Sequence, residues 1–283
     1  MTNPHLVSTD WLAERLDDPN VIAVDGSWHL PDAGRDGRSE YLERHIPGAV
    51  FFDINAIADT SSGLPHMLPS PELFASEVGK LGVGDGTTVV VYDGSGLFAA
   101  PRVWWTFRTM GAEKVFVLDG GFPKWLAEGR PTESGAAERA PRAFTPRPKL
   151  GAAKSADDVS AALETGAAQV VDARPAARFR GEAPEPRPDL ASGHIPGSLN
   201  LPSSTLVRDG KLIDDEAELR RAFEEAGVDL SKPIVTTCGS GVSAAILALG
   251  LEGLGARADG LYDGSWADWG AGERPVATGP ARP

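Results

Sequence analysis

Apolar and polar positions along the chain form blocks that predict strands followed by helices. Short runs rich in β-branched residues, such as Val21 to Asp25 and Thr87 to Tyr92, predict buried strands because each ends at a polar or glycine-rich turn. The segment 70–72, Ser-Pro-Glu, predicts a helix start, since it supplies a cap, a preorganised first residue and an acid in the first turn. Strands that alternate with helices predict an α/β fold with a parallel sheet covered by helices on both faces.

The second half of the chain repeats the pattern of the first. The tetrapeptide His-Ile-Pro-Gly begins at His45 and again at His194, 149 positions later, and Arg130-Pro131 is answered by Arg274-Pro275, 144 positions later. A nearly constant offset over many elements indicates a duplicated unit. We therefore predict two tandem domains, 1–131 and 156–283, joined by a linker over 132–155 that is rich in Pro, Ala and Arg and lacks apolar periodicity. Because the histidine occurs in both copies, we expect a structural role for it in a turn.

The single cysteine, Cys238, opens a glycine-rich loop between a predicted strand and a predicted helix. Backbone N–H groups in such a loop, together with the unpaired N–H groups of a new helix, favour negative charge and therefore a thiolate. A free cysteine is also often a small buried core residue, so the loop alone leaves both interpretations open. The first copy has Asp93 at the matching position, and a carboxylate cannot perform sulfur chemistry. We therefore expect one active site per chain, formed by the second domain and walled by the first.

Composition limits the classes of function. A net charge of -13 and a pI near 4.8 argue against binding to nucleic acid or to an anionic membrane surface. One cysteine excludes internal disulfides and a cysteine-rich zinc site, and it fits a reducing compartment. The first eight residues lack a basic and apolar leader pattern, and no apolar run is long enough to span a bilayer. We therefore expect a cytoplasmic protein.

The duplicated domain, the paired His-Ile-Pro-Gly motifs and a cysteine loop only in the second copy resemble the rhodanese superfamily of sulfurtransferases. Within it, the loop from Cys238 to Ser243 resembles that of the 3-mercaptopyruvate sulfurtransferases, where the last position is usually Thr. Thiosulfate-using members typically carry a basic residue directly after the cysteine, and this chain has Gly239 there. The resemblance implies two tandem rhodanese-like domains, no cofactor or metal, a small-molecule sulfur donor, and a thiol acceptor such as thioredoxin, or cyanide.

The resemblance also assigns roles to residues of the second copy. Cys238 is implied as the nucleophile that carries a persulfide, and Arg178 and Arg187 match the two arginines that hold the carboxylate and carbonyl of a 2-oxo acid. A planar guanidinium suits that task because it binds a carboxylate through two hydrogen bonds. Arg180, on the same segment, is expected to be structural. The backbone N–H groups expected to stabilise the persulfide anion belong to the remaining loop residues, Gly239, Ser240, Gly241, Val242 and Ser243.

His66 lies in the first copy and has no matching histidine in the second. The resemblance places it beside Ser240 in a Ser-His-acid relay, where a histidine near its ordinary pKa could deliver a proton to the departing enolate. The acidic member of that relay falls at Asn55. Either Asp53 or Asp59 substitutes for it, or the relay is a weaker pair in this chain.

Three other functions are weighed against 3-mercaptopyruvate sulfurtransfer. Thiosulfate:cyanide sulfurtransfer uses the same fold and nucleophile. A phosphatase of the related Cys-x5-Arg type needs an arginine six residues after the cysteine, and this chain has Ala244 there, which argues strongly against it. A non-catalytic sulfur-sensing or binding module remains as a function of another class, although the joint presence of a cysteine and two matching arginines argues against it.

Overall fold

The computed structural model describes residues 3–281 and contains two five-stranded parallel sheets and one short antiparallel hairpin in that range. The first domain has its strands in the order β1-β5-β4-β2-β3, with bounds β1 (Leu6–Val7), β2 (Val21–Asp25), β3 (Val50–Phe51), β4 (Thr88–Tyr92) and β5 (Val115–Leu118). The second domain has the order β6-β12-β11-β7-β8, with bounds β6 (Ala153–Lys154), β7 (Gln169–Asp172), β8 (Leu199–Asn200), hairpin strands β9 (Val207–Arg208) and β10 (Lys211–Leu212), β11 (Ile234–Thr237) and β12 (Ala258–Tyr262). The identical strand order in the two sheets confirms the predicted duplication and the α/β fold class.

Ten α-helices flank these sheets in the described part of the chain. They are α1 (Thr9–Ala13), α2 (Gly37–Glu43), α3 (Pro71–Lys80), α4 (Ala100–Thr109), α5 (Gly121–Ala127), α6 (Ala156–Thr165), α7 (Ala176–Phe179), α8 (Glu216–Glu225), α9 (Ala244–Gly253) and α10 (Ser265–Trp269). Helix α3 begins as predicted, because the Ser70 hydroxyl accepts a hydrogen bond of 3.2 Å from the Leu73 N–H. Within residues 3–281 no helix combines the length and the apolar character needed to cross a membrane.

The predicted linker contains a strand. Residues 135–152 are irregular, but β6 lies inside the predicted linker stretch of 132–155 and pairs with β12, so it forms one edge of the second sheet. Strand β1 occupies the same edge of the first sheet by pairing with β5. Two-residue strands give no alternation to detect, which is why the sequence pattern did not predict either of them.

Helices α4 and α9 pack against each other at the domain interface, and one apolar cluster runs through both domains. Val103 and Phe107 on α4 belong to the same buried cluster as Ala245 and Leu249 on α9. Each helix follows directly on the loop after a central strand, β4 in the first domain and β11 in the second. The interface therefore brings residues of the first domain to the carboxyl end of the second sheet, where parallel sheets hold their sites.

The histidines of the repeated motif are structural, in agreement with the prediction. His45 Nδ1 lies 2.8 Å from the Tyr41 carbonyl oxygen, and His194 Nδ1 lies 2.8 Å from that of Phe179. Both rings are buried, and both residues form a backbone bridge to the segment that closes their own domain. The two copies thus use the motif in the same way, independently of which copy carries the cysteine.

Candidate active site

Cys238 directly follows β11, a central strand of the second sheet. Its side chain is buried, with 2% of the residue exposed. The backbone on both sides is fixed, because its N–H donates to Ser265 Oγ at 3.2 Å and its carbonyl accepts from the Trp266 N–H at 2.9 Å. The thiol is therefore held at a defined place at the end of the sheet.

Most of the predicted site residues line one cavity of about 150 Å³ that lies between the domains. The second domain contributes Arg178, Arg187, Cys238, Gly239, Ser240, Val242 and Ser243. Gly241 does not line it; this residue turns the loop with a φ of 76°, and a side chain there would collide with Arg102. The first domain contributes the wall residues Trp28, Leu30 and Phe98.

The matching loop of the first domain shows what the cysteine loop is built to hold. The Asp93 carboxylate accepts four backbone hydrogen bonds of 2.8 to 2.9 Å, from the N–H groups of Ser95, Phe98, Ala99 and Ala100. In the second copy the N–H groups that correspond to the first three are those of Ser240, Ser243 and Ala244, and they have no partner among the described residues. The N–H groups that bind the Asp93 carboxylate in the first copy thus have counterparts without a partner in the loop that follows Cys238.

Two arginine side chains, Arg178 and Arg187, line the cavity next to this loop. The Arg178 guanidinium is paired with Glu185, and its Nη2 would lie 3.3 Å from a Cβ atom placed on Gly239. Its Nε–H is buried without a hydrogen-bond partner in the described chain, so it can still donate to a ligand. Burial lowers the pKa of Arg187, while its electrostatic interaction with the neighbouring Cys238 acts in the opposite direction. Both arginines therefore lie in the wall of the cavity that contains the sulfur.

His66 reaches across the domain interface to Ser240. Its Nδ1 lies 3.2 Å from Ser240 Oγ, as predicted, and its backbone has the unusual φ of 61°. The expectation of a near-ordinary pKa is wrong, because burial lowers the pKa of His66 to about 3, with Arg102 and Arg187 acting in the same direction. The imidazole is therefore neutral at physiological pH.

Neither aspartate completes a Ser-His-acid relay. Asp53 Oδ1 accepts the N–H groups of Asn55 and Ala56, and Asp59 Oδ1 accepts the N–H and hydroxyl of Ser61, so each carboxylate closes a local turn. The charged groups that act on His66 are both arginines. Of the two alternatives, the structure favours the weaker Ser240–His66 pair.

A family model of the rhodanese-like domain matches residues 8–128 and 155–271. The chain belongs to the rhodanese family. It is 46% identical over 276 residues to the 3-mercaptopyruvate sulfurtransferase of Homo sapiens, across 95% of this chain and 93% of that protein. The thiosulfate sulfurtransferase of Bos taurus is 44% identical over 271 residues, across 93% and 91% of the two chains. The crystal structure of the 3-mercaptopyruvate sulfotransferase SseA from Escherichia coli superposes with a TM-score of 0.85 at 45% identity, across 93% of this chain and 98% of that one.

Sequence reasoning missed an acidic residue of the second rhodanese domain. Glu185, whose side chain is 2% exposed, pairs with Arg178 and also with Arg174 at 2.7 Å, and Arg174 in turn lies 2.7 Å from Asp172 at the end of β7. This buried chain of charges fixes the direction of Arg178. The alternation of acid, proline and base along 182–187 is its signal in the sequence, and the resemblance assigns roles there to the arginines alone. Among residues 3–281 of the two rhodanese domains, no cluster of three or more His, Cys, Asp or Glu is placed to hold a metal ion.

Proposed function

We propose that this chain is a sulfurtransferase that moves sulfur from 3-mercaptopyruvate, through a persulfide on Cys238, to a thiol or cyanide. The observation that supports this proposal most strongly is the position of the single thiol, Cys238, in the wall of the cavity between the domains. It faces a small cavity with unpaired backbone N–H groups on one side and two arginines on the other. That arrangement suits a substrate with a carboxylate at one end and a transferable sulfur at the other.

In the proposed reaction, Arg178 and Arg187 bind the carboxylate and carbonyl oxygens of the donor. The Cys238 thiolate attacks the donor sulfur, an S–S bond forms, and the C–S bond breaks with its electron pair passing to carbon. The product of that step is the enolate of pyruvate, which the two guanidinium groups stabilise as its negative charge develops. The proton lost by the donor thiol balances the proton that the enolate carbon takes up, so pyruvate leaves.

The Ser240–His66 pair is suited to moving that proton. A neutral imidazole has one N–H and one lone pair, so it can accept a proton at one nitrogen while it gives one up at the other. The pair needs no charged histidine, which fits the lowered pKa of His66. The backbone N–H groups of the loop from Gly239 to Ser243 would then stabilise the persulfide anion.

A reduced thiol attacks the outer sulfur of the persulfide and restores the cysteine. A dithiol protein such as reduced thioredoxin is the acceptor we propose, with cyanide as a small-molecule substitute. The single cysteine of this chain offers no internal resolving thiol, so the acceptor must supply it. We also propose that the protein works in the cytoplasm, since a single free cysteine fits a reducing compartment.

Thiosulfate is the alternative donor, because the similarity to the bovine thiosulfate sulfurtransferase is nearly as high as to the human 3-mercaptopyruvate enzyme. The neutral Gly239 after the cysteine favours the carboxylate donor, since the dianionic thiosulfate gains more from an added cation beside the sulfur. A non-catalytic sulfur-sensing module is the remaining alternative.

The test is steady-state turnover with each donor and cyanide as acceptor, for the wild type and Cys238→Ser. We expect a higher kcat/KM with 3-mercaptopyruvate than with thiosulfate, and no turnover by the variant. A preference for thiosulfate would reverse the donor assignment and leave the nucleophile in place. Absence of turnover with both donors would contradict the enzymatic function and favour the sensing module.

A further inference from the structure

Arg102 is a buried cation that joins the two domains directly beneath the cysteine loop. It lies on α4 of the first domain with 1% of its surface exposed, and its guanidinium stacks on Trp105 at 4.6 Å. Its Nη2 donates to the His66 carbonyl oxygen at 2.5 Å, and its Nη1 donates to the Gly241 carbonyl oxygen at 3.4 Å. One side chain thus contacts the backbone of both the histidine segment and the cysteine loop.

Asp263 of the second domain completes the connection. One of its carboxylate oxygens lies 2.6 Å from Arg102 Nη2, and the other accepts the Leu68 N–H at 2.6 Å. The segment 66–68 of the first domain is therefore held at both ends, by Arg102 at His66 and by Asp263 at Leu68. Because Arg102, Asp263 and His66 are buried, water competes little for the guanidinium, and its planar fork fixes the relative places of the groups that it contacts.

We propose that Arg102 is a positioning residue, which sets the distance between His66 and Ser240 and the shape of the cysteine loop. The proposal that it affects catalysis rests on the proposed sulfurtransferase function. Arg102 does not line the cavity around Cys238, so it acts through the groups that it holds. A displacement of about 1 Å of a catalytic group can lower a rate by about 100-fold, so a loosened relay would slow the proton step while donor binding is retained.

Arg108 provides a matched control on the same helix. It also crosses the domain interface, with Nη2 at 2.8 Å from Glu252, and its guanidinium also stacks on a tryptophan, Trp104, at 5.1 Å. It has no contact with the cysteine loop or with His66 in the described structure. Loss of Arg108 therefore weakens the interface without releasing the relay.

The kinetic test compares Arg102→Lys with Arg108→Lys for turnover of 3-mercaptopyruvate. We expect Arg102→Lys to lower kcat by about 10- to 100-fold while KM changes by less than about threefold, because the donor is held by the other arginines. Arg108→Lys should change both by less than about threefold. Ser240→Ala is then added to each variant. If Arg102 acts through the relay, its effect shrinks to less than about threefold in the Ser240→Ala background, whereas the effects of Arg108→Lys and Ser240→Ala multiply.

A second readout needs no donor. Cys238 is the only thiol of the chain, so its alkylation by iodoacetamide reports on the loop alone. We expect Arg102→Lys to speed alkylation at least about fivefold, since the loop over the buried thiol is no longer held at Gly241, and Arg108→Lys to change it by less than about twofold. Equal alkylation in both variants would overturn the role of Arg102 in holding the cysteine loop. A kcat effect of Arg102→Lys that persists undiminished without Ser240 would overturn its role in placing His66 against Ser240. A wild type inactive with both donors would refute the proposed function, and the alkylation comparison would then decide the positioning role.

Discussion

The anion-binding character of the cysteine loop can be tested without any substrate by the replacement Cys238→Asp. This change places in the second domain the residue that the first domain has at the same position. In the first domain the Asp93 carboxylate binds four backbone N–H groups at 2.8 to 2.9 Å. If the two loops are built alike, the new carboxylate will bind the N–H groups around position 238 that have no partner among residues 3–281.

The expected difference in stability between Cys238→Asp and Cys238→Asn depends on the hydrogen bonds that the carboxylate gains and on the free energy that its burial costs. A hydrogen bond to a charged acceptor contributes about 1.5 to 3 kcal/mol, against about 1 kcal/mol for a neutral one, so three of them favour a carboxylate over an amide by a few kcal/mol. Burial of the carboxylate costs part of that gain, because several kcal/mol are lost when an ion leaves water. We expect Cys238→Asp to be more stable than the isosteric Cys238→Asn by about 1 to 2 kcal/mol, which corresponds to about 2 to 8 °C in Tm.

Thermal unfolding of the two variants at pH 7 measures this difference, with the paired change Asp93→Asn as a reference for the first domain. Both variants at position 238 lack the thiol, so sulfur chemistry does not enter. A Cys238→Asp protein that melts at or below the temperature of Cys238→Asn would refute the idea that the loop is arranged to stabilise an anion.

Three further predictions concern the arginines, the relay and the core. Arg187→Gln should raise KM for 3-mercaptopyruvate about 10- to 100-fold, because a charge-assisted contact to the donor is lost. Arg180→Gln, which removes an exposed arginine paired with Glu182, should leave KM within about twofold. Equal effects of the two changes on KM in steady-state assays would contradict a role of Arg187 in donor binding. Because the pKa of His66 is lowered to about 3, the imidazole stays neutral over the range from about pH 5 to 8. The ratio of the wild-type kcat to the His66→Gln kcat should therefore stay constant over that range. A tenfold fall of this ratio towards pH 5 would show that His66 has an ordinary pKa. Burial raises the pKa of Asp25 to about 7, so as the pH rises the unfolded chain loses the Asp25 proton at a lower pH than the folded chain does. The free energy of unfolding should therefore fall between about pH 4 and 7, by up to about 4 kcal/mol relative to Asp25→Asn. Urea titrations that give parallel curves of stability against pH for the wild type and Asp25→Asn would contradict this.

Much of the fold was predictable because its signals are local. The β-branched runs of β2 and β4 and the cap of α3 each lie within a few residues, and the duplication follows from comparison of the two halves. The edge strands β1 and β6 escaped prediction, since each has two residues and depends on a partner strand more than 100 positions away.

The candidate site likewise has a part that the local sequence predicts and a part that depends on residues distant in sequence. The thiol, the hydroxyl of Ser240 and the rest of the glycine-rich loop lie within the six residues 238–243, and their pattern makes them candidates. The state of His66 was not predictable, because its pKa is set by burial against the other domain and by two cations distant in sequence. The contact from Arg102 to Gly241 spans 139 positions and exists only because α4 packs on α9.

A wall contributed by the first domain was expected from the sequence, but the apolar residues that form it were not. Trp28 and Phe98 stack at 6.0 Å on the first-domain side of the cavity, and Trp28 also meets the His66 ring edge-to-face at 4.6 Å. Single aromatic residues in loops carry no periodic signal, so their place beside Cys238 follows only from the docking of the domains. This wall limits the access of water to the sulfur, which strengthens the electrostatic effect of the arginines.

The central claim is that Cys238 takes the sulfur from the donor and keeps it until an acceptor arrives. The most direct measurement is a single turnover of 3-mercaptopyruvate without acceptor, followed by the intact mass of the protein and the amount of pyruvate released. We predict that each chain gains one sulfur atom on Cys238 and releases one pyruvate, and that Cys238→Ser does neither. Pyruvate release without added sulfur on the protein, or added sulfur that persists in Cys238→Ser, would contradict this account.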